Sequence, residues 1–501
     1  MHIAFLNPHG NFDPHDSHWT AHPDFGGQLV YVKQVALAMA EAGHTVDILT
    51  RQIIDADWPE FSSPEAVYDD APGVRILRLP AGPNAFLRKE LIWSHLVDHW
   101  IPRVLAHYEA ERRLPDAFTG HYADGGLAGA VIEERTGIPF TFTAHSLGAQ
   151  KMDQLEVTEA NLAEMDAHYH FARRLFAERL SMNRSAVTIT STRQERFEQY
   201  GHQAYDGAVD VEDGRRFQLI PPGVNLAIFG ADVVNAHEAE TQGHVAAMLA
   251  RDIDADRQHL PAVIASSRLD PKKNPLDLVR AFAQTPELRS RANLILVSGA
   301  HSDPLRDDTA TNPTERAVLA EIREVVGSAG LWGKIAVFEL IGQPTLAAAY
   351  RCLAQRGSIF ALTALYEPFG LAPLEAAAAG LPLVVTKNGG PSESLRDGVT
   401  EYGILVDPTD PDDIAQGLLR LLRDPGTWAN FARLGQQRVL DRYTWERTAE
   451  GYLAVIEAMI ADPHARRPDT LLPLHPYFVS ASGSNDITLD ELREVYYPKT
   501  G

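Results

Sequence analysis

Short runs of apolar, β-branched residues alternate with longer segments of helical periodicity along almost the whole of this 501-residue chain. The first run is at residues 3–6, and the last is at residues 404–406. Strands that alternate with helices pair in parallel, because each helix carries the chain back across the sheet. The pattern therefore predicts an α/β protein, and the length allows two such sheets.

The predicted strands fall into two sets. The first set is residues 3–6, 46–50, 74–79, 117–119, 140–144, 187–191 and 218–220, and the second is residues 262–266, 294–298, 335–338, 359–362, 383–386 and 404–406. The predicted helices are residues 29–41, 90–108 and 162–183, and then residues 276–283, 316–326, 346–353, 371–379, 414–422 and 444–459. Each set is enough for one doubly wound domain.

A proline and glycine turn cluster at residues 221–225 separates the two sets, and a polar stretch without strong periodicity follows it to about residue 258. We therefore expect an N-terminal domain of residues 1–225 and a C-terminal domain of residues 226–462. The proline-rich residues 463–476 predict a tail, residues 463–501, that packs back on the N-terminal domain. Ligands bind at the carboxyl ends of strands in such sheets, so we expect the domains to face a central cleft.

Charge and composition exclude several classes of protein. The formal net charge of −22 repels the phosphates of nucleic acids, and no run of residues is long and apolar enough to span a membrane. The first residues lack a basic segment followed by a long apolar one, so we expect a cytoplasmic protein. The single cysteine, Cys352, excludes an intrachain disulfide. Small molecules are the expected partners, and phosphorylated ones would require cations to be concentrated at one site.

Two glutamates flank the predicted start of a helix in the segment YEPFGLAPLEA, residues 366–376. The free backbone N–H groups of a helix start attract anions such as a diphosphate, and here they belong to Phe369, Gly370, Leu371 and Ala372. Glu375 can reach a ribose hydroxyl from the first turn of the helix, while Glu367 can reach a sugar hydroxyl from the loop. The alternative is that both acids only improve the charge of the helix start.

Cations follow the predicted strand at residues 262–266, in the segment SSRLDPKKN. Arginine binds phosphate oxygens with two parallel hydrogen bonds, and lysine adds a point charge. Cations placed there could stabilise the negative charge that builds on a departing phosphate group, and the candidates are Arg268, Lys272 and Lys273. Lys272 is more typical of a solvated turn.

Three further segments supply candidates in the N-terminal half. Asp24-Phe25-Gly26-Gly27-Gln28 precedes a helix, and Gln28 could contact an acceptor. A second segment, FTAHSLGAQK at residues 142–151, follows a strand. There His145 could bind the transferred sugar, and Ser146 and Lys151 could bind an acceptor phosphate. The candidates that complete the acceptor site are Tyr122, Arg174 and, more weakly, Lys89.

The segment from Glu367 to Glu375 resembles the E-x7-E motif of the retaining family-4 glycosyltransferases, which have the two-domain GT-B fold. That resemblance implies that Glu375 binds the donor ribose and that Glu367 contacts the transferred sugar. It also implies that Arg268 and Lys273 bind the donor diphosphate, and that Gly26 and Gly27 lie close to the sugar and its phosphate. The implied catalytic residues are His145, Glu367, Arg268 and Lys273.

Within that family the chain resembles the bacterial sucrose-phosphate synthases over nearly its whole length. The resemblance is carried by FLNPHGNFD at residues 5–13, by residues 24–33, by HYADGG at residues 121–126, by residues 142–151 and by SGSND at residues 482–486. It implies transfer of glucose from UDP-glucose to fructose 6-phosphate with retained configuration and without a cofactor or metal. Since the C-terminus has no Asp-x-Asp phosphatase motif, a separate phosphatase is expected to act on the product.

Alternatives remain open. The same chemistry could use ADP-glucose or, as in mannosylfructose-phosphate synthases, GDP-mannose. A glycoside hydrolase could use Glu367 and Glu375 as its carboxylate pair, and a non-catalytic sensor could bind the nucleotide sugar only. The loop that contains His9, His15, Asp16, His18, His22 and Asp24 could suggest a metal, but its spacing fits no zinc pattern.

Overall fold

The computed structural model describes residues 1–19, 25–299, 301–309, 311–463, 465–468 and 470–497. The chain forms two compact units. The N-terminal unit consists of Met1–Pro221 together with Thr448–Gly501, and the C-terminal unit is Pro222–Arg447. The second unit therefore ends before the expected residue 462, because most of the helix Trp445–Ala461 belongs to the first unit.

The sheet of the N-terminal unit has eight strands in the order β3-β4-β2-β1-β5-β6-β7-β8, all parallel except β3. The strands are β1 His2–Leu6, β2 Thr45–Arg51, β3 Glu65–Tyr68, β4 Ala71–Leu79, β5 Ala117–His121, β6 Phe140–Thr143, β7 Val187–Thr190 and β8 Phe217–Leu219. The helices are α1 Gly27–Glu41, α2 Trp93–His95, α3 Ile101–Glu111, α4 Tyr122–Thr136, α5 Gly148–Gln154, α6 Leu162–Tyr169 and α7 Phe171–Arg184, with a π-helical turn, Leu96–Trp100, between α2 and α3.

The principal sheet of the C-terminal unit has six parallel strands in the order β11-β10-β9-β12-β13-β16. The strands are β9 Ala262–Ser266, β10 Asn293–Ser298, β11 Ile335–Glu339, β12 Ile359–Leu362, β13 Leu383–Thr386 and β16 Ile404–Val406, with a small hairpin of β14 Arg396–Asp397 and β15 Thr400–Glu401. The helices are α8 Leu226–Phe229, α9 Glu238–Asp252, α10 Pro275–Gln284, α11 Pro286–Arg291, α12 Pro313–Ser328, α13 Gln343–Ala354, α14 Leu371–Ala378, α15 Pro391–Ser394, α16 Pro411–Leu422 and α17 Pro425–Arg442.

Both sheets are buried on their two faces, as parallel sheets with helical connections are. Along β9, Ile264 belongs to one apolar cluster and its neighbour Val263 to the other, because successive side chains of a strand point to opposite faces. In each sheet the strand order reverses beside the first strand of the unit. Each unit is thus a Rossmann-like doubly wound domain with one topological switch point.

The C-terminal segment completes the N-terminal unit through α18 Trp445–Ala461, α19 Pro476–Val479 and α20 Leu489–Tyr496. Thr448 donates a hydrogen bond to the carbonyl of Pro221 at 2.8 Å, and the Tyr452 hydroxyl lies 2.6 Å from Thr143 Oγ1. The side chains that it adds to the apolar core include Tyr477, Phe478 and Leu492. Since these contacts begin at Thr448, the segment that packs on the N-terminal unit is longer than the expected residues 463–501.

The predicted and observed helices differ in several places. The polar stretch of residues 226–258, in which no helix was predicted, contains α8 and the four-turn helix α9. The helix predicted at residues 162–183 is two helices, because His170 adopts a left-handed backbone with φ 51°. Helix α4, with three glycines, was not predicted at all. Gly125 is required there, since a Cβ would lie 2.1 Å from the carbonyl oxygen of Leu6 in β1.

Candidate active site

The switch point of the C-terminal unit lies between β9 and β12. A 3₁₀ turn, Pro271–Lys273, follows β9, and the Asp270 side chain caps it by accepting from the Lys272 N–H at 2.8 Å. The turn is bonded to the loop after β12, since the Leu365 N–H donates to the Lys272 carbonyl at 2.9 Å. The two segments that carry the predicted cations and acids therefore form one surface at the carboxyl ends of the strands.

Lys273 and Glu367 form an ion pair on this surface. The ammonium lies 2.6 Å from Oε2 of the carboxylate, and both side chains are largely buried. A charge-assisted contact of this length fixes the position of both groups. Arg268 is exposed. Its carbonyl accepts from the Asp270 N–H, whereas its guanidinium forms no hydrogen bond or ion pair with the described residues and is available to an anion.

The loop that holds Glu367 is shaped by glycines. Gly370, with φ 97°, is the N-cap of α14, so that the free N–H groups of Leu371 and Ala372 begin the helix directly after it. Gly389 packs against the same loop, where a Cβ would lie 2.1 Å from the Glu367 carbonyl oxygen. The Glu367 N–H donates to the Asn388 carbonyl at 3.1 Å. Backbone contacts thus fix Glu367 and the neighbouring Phe369 at the start of α14.

Glu375 lies one turn into α14, where burial raises the pKa of its carboxyl to about 7. A carboxyl that is taken out of water without a cation beside it favours its neutral form. Near neutral pH, Glu375 is therefore a group that can either donate or accept a hydrogen bond.

The switch point of the N-terminal unit lies between β1 and β5. Asp124 accepts from His9 Nδ1 at 2.6 Å, and His9 Nε2 lies 3.1 Å from Gln28 Oε1. Gln28 donates in turn to Asn7 Oδ1 at 2.7 Å. Helix α1 begins just before Gln28 with Gly27, and Gly26 is its N-cap; both glycines are exposed. The Gln28 side chain is therefore fixed by the residues that follow β1.

A pocket beside this network is called the basic pocket. Its lining is Lys89, Glu90, Trp93, Tyr122, Asp124, Lys151, Tyr169 and Arg174. The Arg174 guanidinium lies 4.9 Å and the Lys89 ammonium 5.5 Å from the centre of the Tyr122 ring. Lys151 lies 4.1 Å from the centre of the Tyr169 ring and 3.8 Å from Glu90 Oε1. Three cations from separate segments thus share one pocket, as a binding site for an anion requires.

Arg174 also organises the wall of the basic pocket. It is 5% exposed and pairs with Glu178 one turn further along α7, at 2.8 Å. It donates to the Ser146 carbonyl at 2.8 Å and to Ser146 Oγ at 3.2 Å. The predicted acceptor residues Ser146 and Arg174 are therefore in direct contact.

His145 has a left-handed backbone with φ 56°, and so has Tyr122 with φ 65°. Such conformations are strained in residues other than glycine and cluster at functional sites. Nε2 of His145 lies 2.8 Å from Nδ1 of His121. The Tyr31 ring packs on the His145 ring in a T-shaped arrangement, with centroids 4.9 Å apart. Burial, and secondly the nearby His9, lowers the pKa of His145 to about 3. His145 is thus a neutral imidazole at physiological pH.

Sequence reasoning assigned no role to His9, Asp124 or Glu90, although the first two lie in segments that carried the resemblance. His9 and Asp124 could have been found from the strand order, since they follow the adjacent strands β1 and β5 that flank the switch point. Of the other predicted residues, Asp24, like His22 of the loop considered for a metal, lies outside the described residues. In the described part of the chain no group of three or more His, Cys, Asp or Glu side chains could hold a metal ion.

Two Rossmann-like units, with a lysine–glutamate pair at a helix start in one and a basic pocket in the other, define a glycosyltransferase of the GT-B fold. Residues 26–203 match the family described as glycosyl transferase 4-like domain, and residues 251–438 match the glycosyl transferases group 1. No helix in the described ranges is long and apolar enough to cross a membrane.

The chain is 40% identical over 461 residues to a probable sucrose-phosphate synthase of Thermosipho melanesiensis, covering 91% of this chain and 96% of that protein. It is 32% identical over 514 residues to the sucrose-phosphate synthase of Zea mays, covering 90% of this chain and 47% of that longer protein. The solved structure of the sucrose-phosphate synthase from Thermosynechococcus elongatus matches with a TM-score of 0.63 and 25% identity, over 92% of this chain and 99% of that one.

This chain belongs to the sucrose-phosphate synthases. It is accordingly an enzyme, a hexosyltransferase of sucrose synthesis, and the expected family and GT-B fold are confirmed. The hydrolase and sensor alternatives find no support in this membership.

Proposed function

We propose that the protein transfers glucose from UDP-glucose to fructose 6-phosphate, with retained anomeric configuration, to give sucrose 6-phosphate and UDP. The observation that carries the acceptor half of the proposal is the basic pocket. Its lining holds three cations, Lys89, Lys151 and Arg174, against the two carboxylates Glu90 and Asp124, in a protein whose net charge is −22. An uncharged hexose would not require three cations, whereas a sugar phosphate gains charge-assisted hydrogen bonds from them.

The donor half rests on the surface at the C-terminal switch point. We infer that the diphosphate is bound by Arg268, by Lys273 and by the N–H groups at the start of α14. Glu367 then contacts the transferred sugar and Glu375 the ribose. Supporting this arrangement are the 2.6 Å pair of Lys273 with Glu367 and the free guanidinium of Arg268. In this proposal Arg268 and Lys273 supply the positive charge at the diphosphate without a divalent cation.

The proposed chemistry has no covalent enzyme intermediate. The bond between the glucose anomeric carbon and the UDP oxygen breaks, and the acceptor hydroxyl oxygen bonds to that carbon from the same face. The hydroxyl proton passes to the departing phosphate oxygen. Catalysis then consists of positioning the reactants and stabilising the negative charge that develops on UDP. His145 donates a hydrogen bond to the transferred sugar in this scheme.

The direct test is a matrix of UDP-glucose, ADP-glucose and GDP-mannose against fructose, fructose 6-phosphate and glucose 6-phosphate, with released nucleotide measured. UDP release with fructose 6-phosphate should exceed UDP release with fructose at least tenfold, since the loss of one hydrogen bond to a charged group costs about 1.5–3 kcal/mol. The coupling constant of the anomeric proton in the product should report the α configuration of the donor. Preference for another donor would favour the alternative of the same chemistry with a different nucleotide sugar.

We further propose that a separate phosphatase removes the product phosphate. Purified protein should form sucrose 6-phosphate without releasing inorganic phosphate. Phosphate release in step with UDP release would overturn this part of the proposal.

A further inference from the structure

A line of four hydrogen-bonded side chains leads from the interior of the N-terminal sheet to His145. Thr141 Oγ1 donates to Thr119 Oγ1 at 2.9 Å, and Thr119 Oγ1 lies 3.1 Å from His121 Nε2. His121 Nδ1 lies 2.8 Å from His145 Nε2. Thr119, Thr141 and His121 are fully buried, so that each of their polar hydrogens needs a partner within the protein.

The direction of the protons follows from counting donors. Thr119 has one hydroxyl hydrogen, and its oxygen already accepts the hydrogen of the Thr141 hydroxyl. Its own hydrogen has one partner among the described residues, His121 Nε2. His121 therefore accepts at Nε2 and, as a neutral imidazole, carries its hydrogen on Nδ1. The opposite direction would leave the Thr119 hydroxyl hydrogen buried without an acceptor, which is unfavourable because a buried donor has lost its hydrogen bonds to water.

The same count fixes the last ring. His121 Nδ1–H donates to His145 Nε2, so the neutral His145 carries its hydrogen on Nδ1. Nδ1 of His145 makes no hydrogen bond to the described residues, and the residue is partly exposed. The rings of His121 and His145 lie edge to edge and nearly coplanar, at 22° and with centroids 5.1 Å apart, as a hydrogen bond between two imidazole nitrogens requires. The Phe5 ring is nearly parallel to the His121 ring, with centroids 5.2 Å apart.

We propose that Thr119 and His121 are positioning residues that hold His145 as the Nδ1–H tautomer, so that it meets the substrate as a hydrogen-bond donor and never as a base. Neither nitrogen of His145 then offers a free lone pair to a substrate hydroxyl. A substrate oxygen accepts from Nδ1–H, and the acceptor's proton leaves by another route, as in the leaving-phosphate scheme above. This inference rests on the proposed role of His145 in the reaction.

The tautomer can be measured without turnover. Protein labelled with ¹⁵N-histidine should give a protonated-type signal for His145 Nδ1 and an unprotonated-type signal for Nε2, assigned by their disappearance in His145→Asn. In Thr119→Val, which removes the hydroxyl without changing shape, the two signals should move toward a mixture of tautomers. A protonated Nε2 of His145 in the parent protein would overturn the proposal.

Kinetics provide the second readout. Thr119→Val should lower kcat by about 5- to 10-fold, the loss of one buried hydrogen bond, with both KM values within twofold, and Thr119→Ser should restore kcat. Thr188→Val removes a buried threonine hydroxyl from β7 that has no histidine partner, and it should keep the parent kcat. Equal kcat in Thr119→Val and Thr188→Val would count against the proposal. Failure of the proposed function would show instead as absent turnover in the parent protein with its tautomer unchanged.

Discussion

Lys273 and Glu367 neutralise each other across 2.6 Å at the carboxyl edge of the C-terminal sheet. A diphosphate that binds Lys273 would take over part of this contact and release a Glu367 oxygen for a sugar hydroxyl. The pair therefore leaves neither Lys273 nor Glu367 with an uncompensated charge. This relationship makes the two residues interdependent in any variant.

Lys273→Gln should lower kcat by about 10²- to 10³-fold, because it removes a charge that stabilises the developing negative charge of the leaving group. The KM for the nucleotide sugar should change much less. Steady-state kinetics with released nucleotide measure both constants. The matched control is Lys387→Gln, which breaks the exposed 2.9 Å ion pair with Asp407 in the same unit and should leave kcat unchanged. An equal decrease of kcat in the two variants would show that Lys273 has no specific role in catalysis.

The pKa of Glu375, about 7 in the folded protein against 4.5 ordinarily, predicts a pH-dependent contribution to stability. The folded state binds this proton more tightly than the unfolded state, so stability decreases as pH rises from about 4.5 to about 7. Glu375→Gln removes that decrease. The Tm of the variant relative to the parent should be higher at pH 8 than at pH 5 by ~2–4 °C. Subtracting the difference found for Glu321→Gln, an exposed glutamate of α12, removes the general effect of losing a carboxylate.

Lys151→Gln should raise the KM for fructose 6-phosphate about tenfold and leave the KM for the nucleotide sugar unchanged, because only the phosphorylated acceptor requires the basic pocket. A hydrogen bond to a charged group contributes about 1.5–3 kcal/mol. Lys334→Gln, which replaces a lysine bonded to the Gly330 carbonyl on the surface of the C-terminal unit, is the control. A change confined to the nucleotide sugar would contradict the assignment of this pocket.

His145 should show no ionisation in the working pH range. Burial and the neighbouring His9 lower its pKa to about 3, so it is neutral throughout pH 5.5–8.5. The ratio of kcat between the parent and His145→Asn should therefore be constant across this range. A ratio that falls toward acidic pH would show that His145 takes up a proton there.

Gly389→Ala should lower both Tm and kcat, since the new methyl group would meet the Glu367 carbonyl oxygen at 2.1 Å. Gly398→Ala is the control, because Gly398 also has a positive φ but no neighbour within 4 Å of the added carbon. Both variants carry the backbone strain of about 1 kcal/mol, and only Gly389→Ala displaces Glu367. Thermal melting and kcat for both variants separate strain from displacement. Full activity of Gly389→Ala would show that Glu367 tolerates the shift.

The pattern of the chain predicted every parallel strand of the two sheets, because strands buried on both faces consist of continuous apolar runs. It missed β3, an edge strand in which only Tyr68 is fully buried. Helix α4 was not predicted because Gly125, Gly126 and Gly129 have low helix propensity. Close packing of this helix on β1 and β6 nevertheless requires glycine at these positions. Local propensity cannot report such tertiary requirements.

The motif at residues 366–376 and the cations after β9 predicted the surface of the C-terminal unit, since both segments follow strand ends. The contacts of His9 with Asp124, and of His121 with His145, join residues that are far apart along the chain. Only the register of β1, β5 and β6 brings them together, and register is not readable from single segments.

The N-terminal unit is built from two pieces of chain, with the whole of Pro222–Arg447 between them. During synthesis, at about 5–20 residues per second, the ribosome needs on the order of 10–45 s to make that insert before Thr448 appears. Through this interval the nascent sheet lacks Tyr452 beside Thr143 and Tyr31, and α7 lacks the partner of Arg173, Asp486. The apolar core of the N-terminal unit is therefore completed only after the residues beyond Thr448 are made, so that a chain interrupted before them would lack Tyr477 and Phe478 from that core.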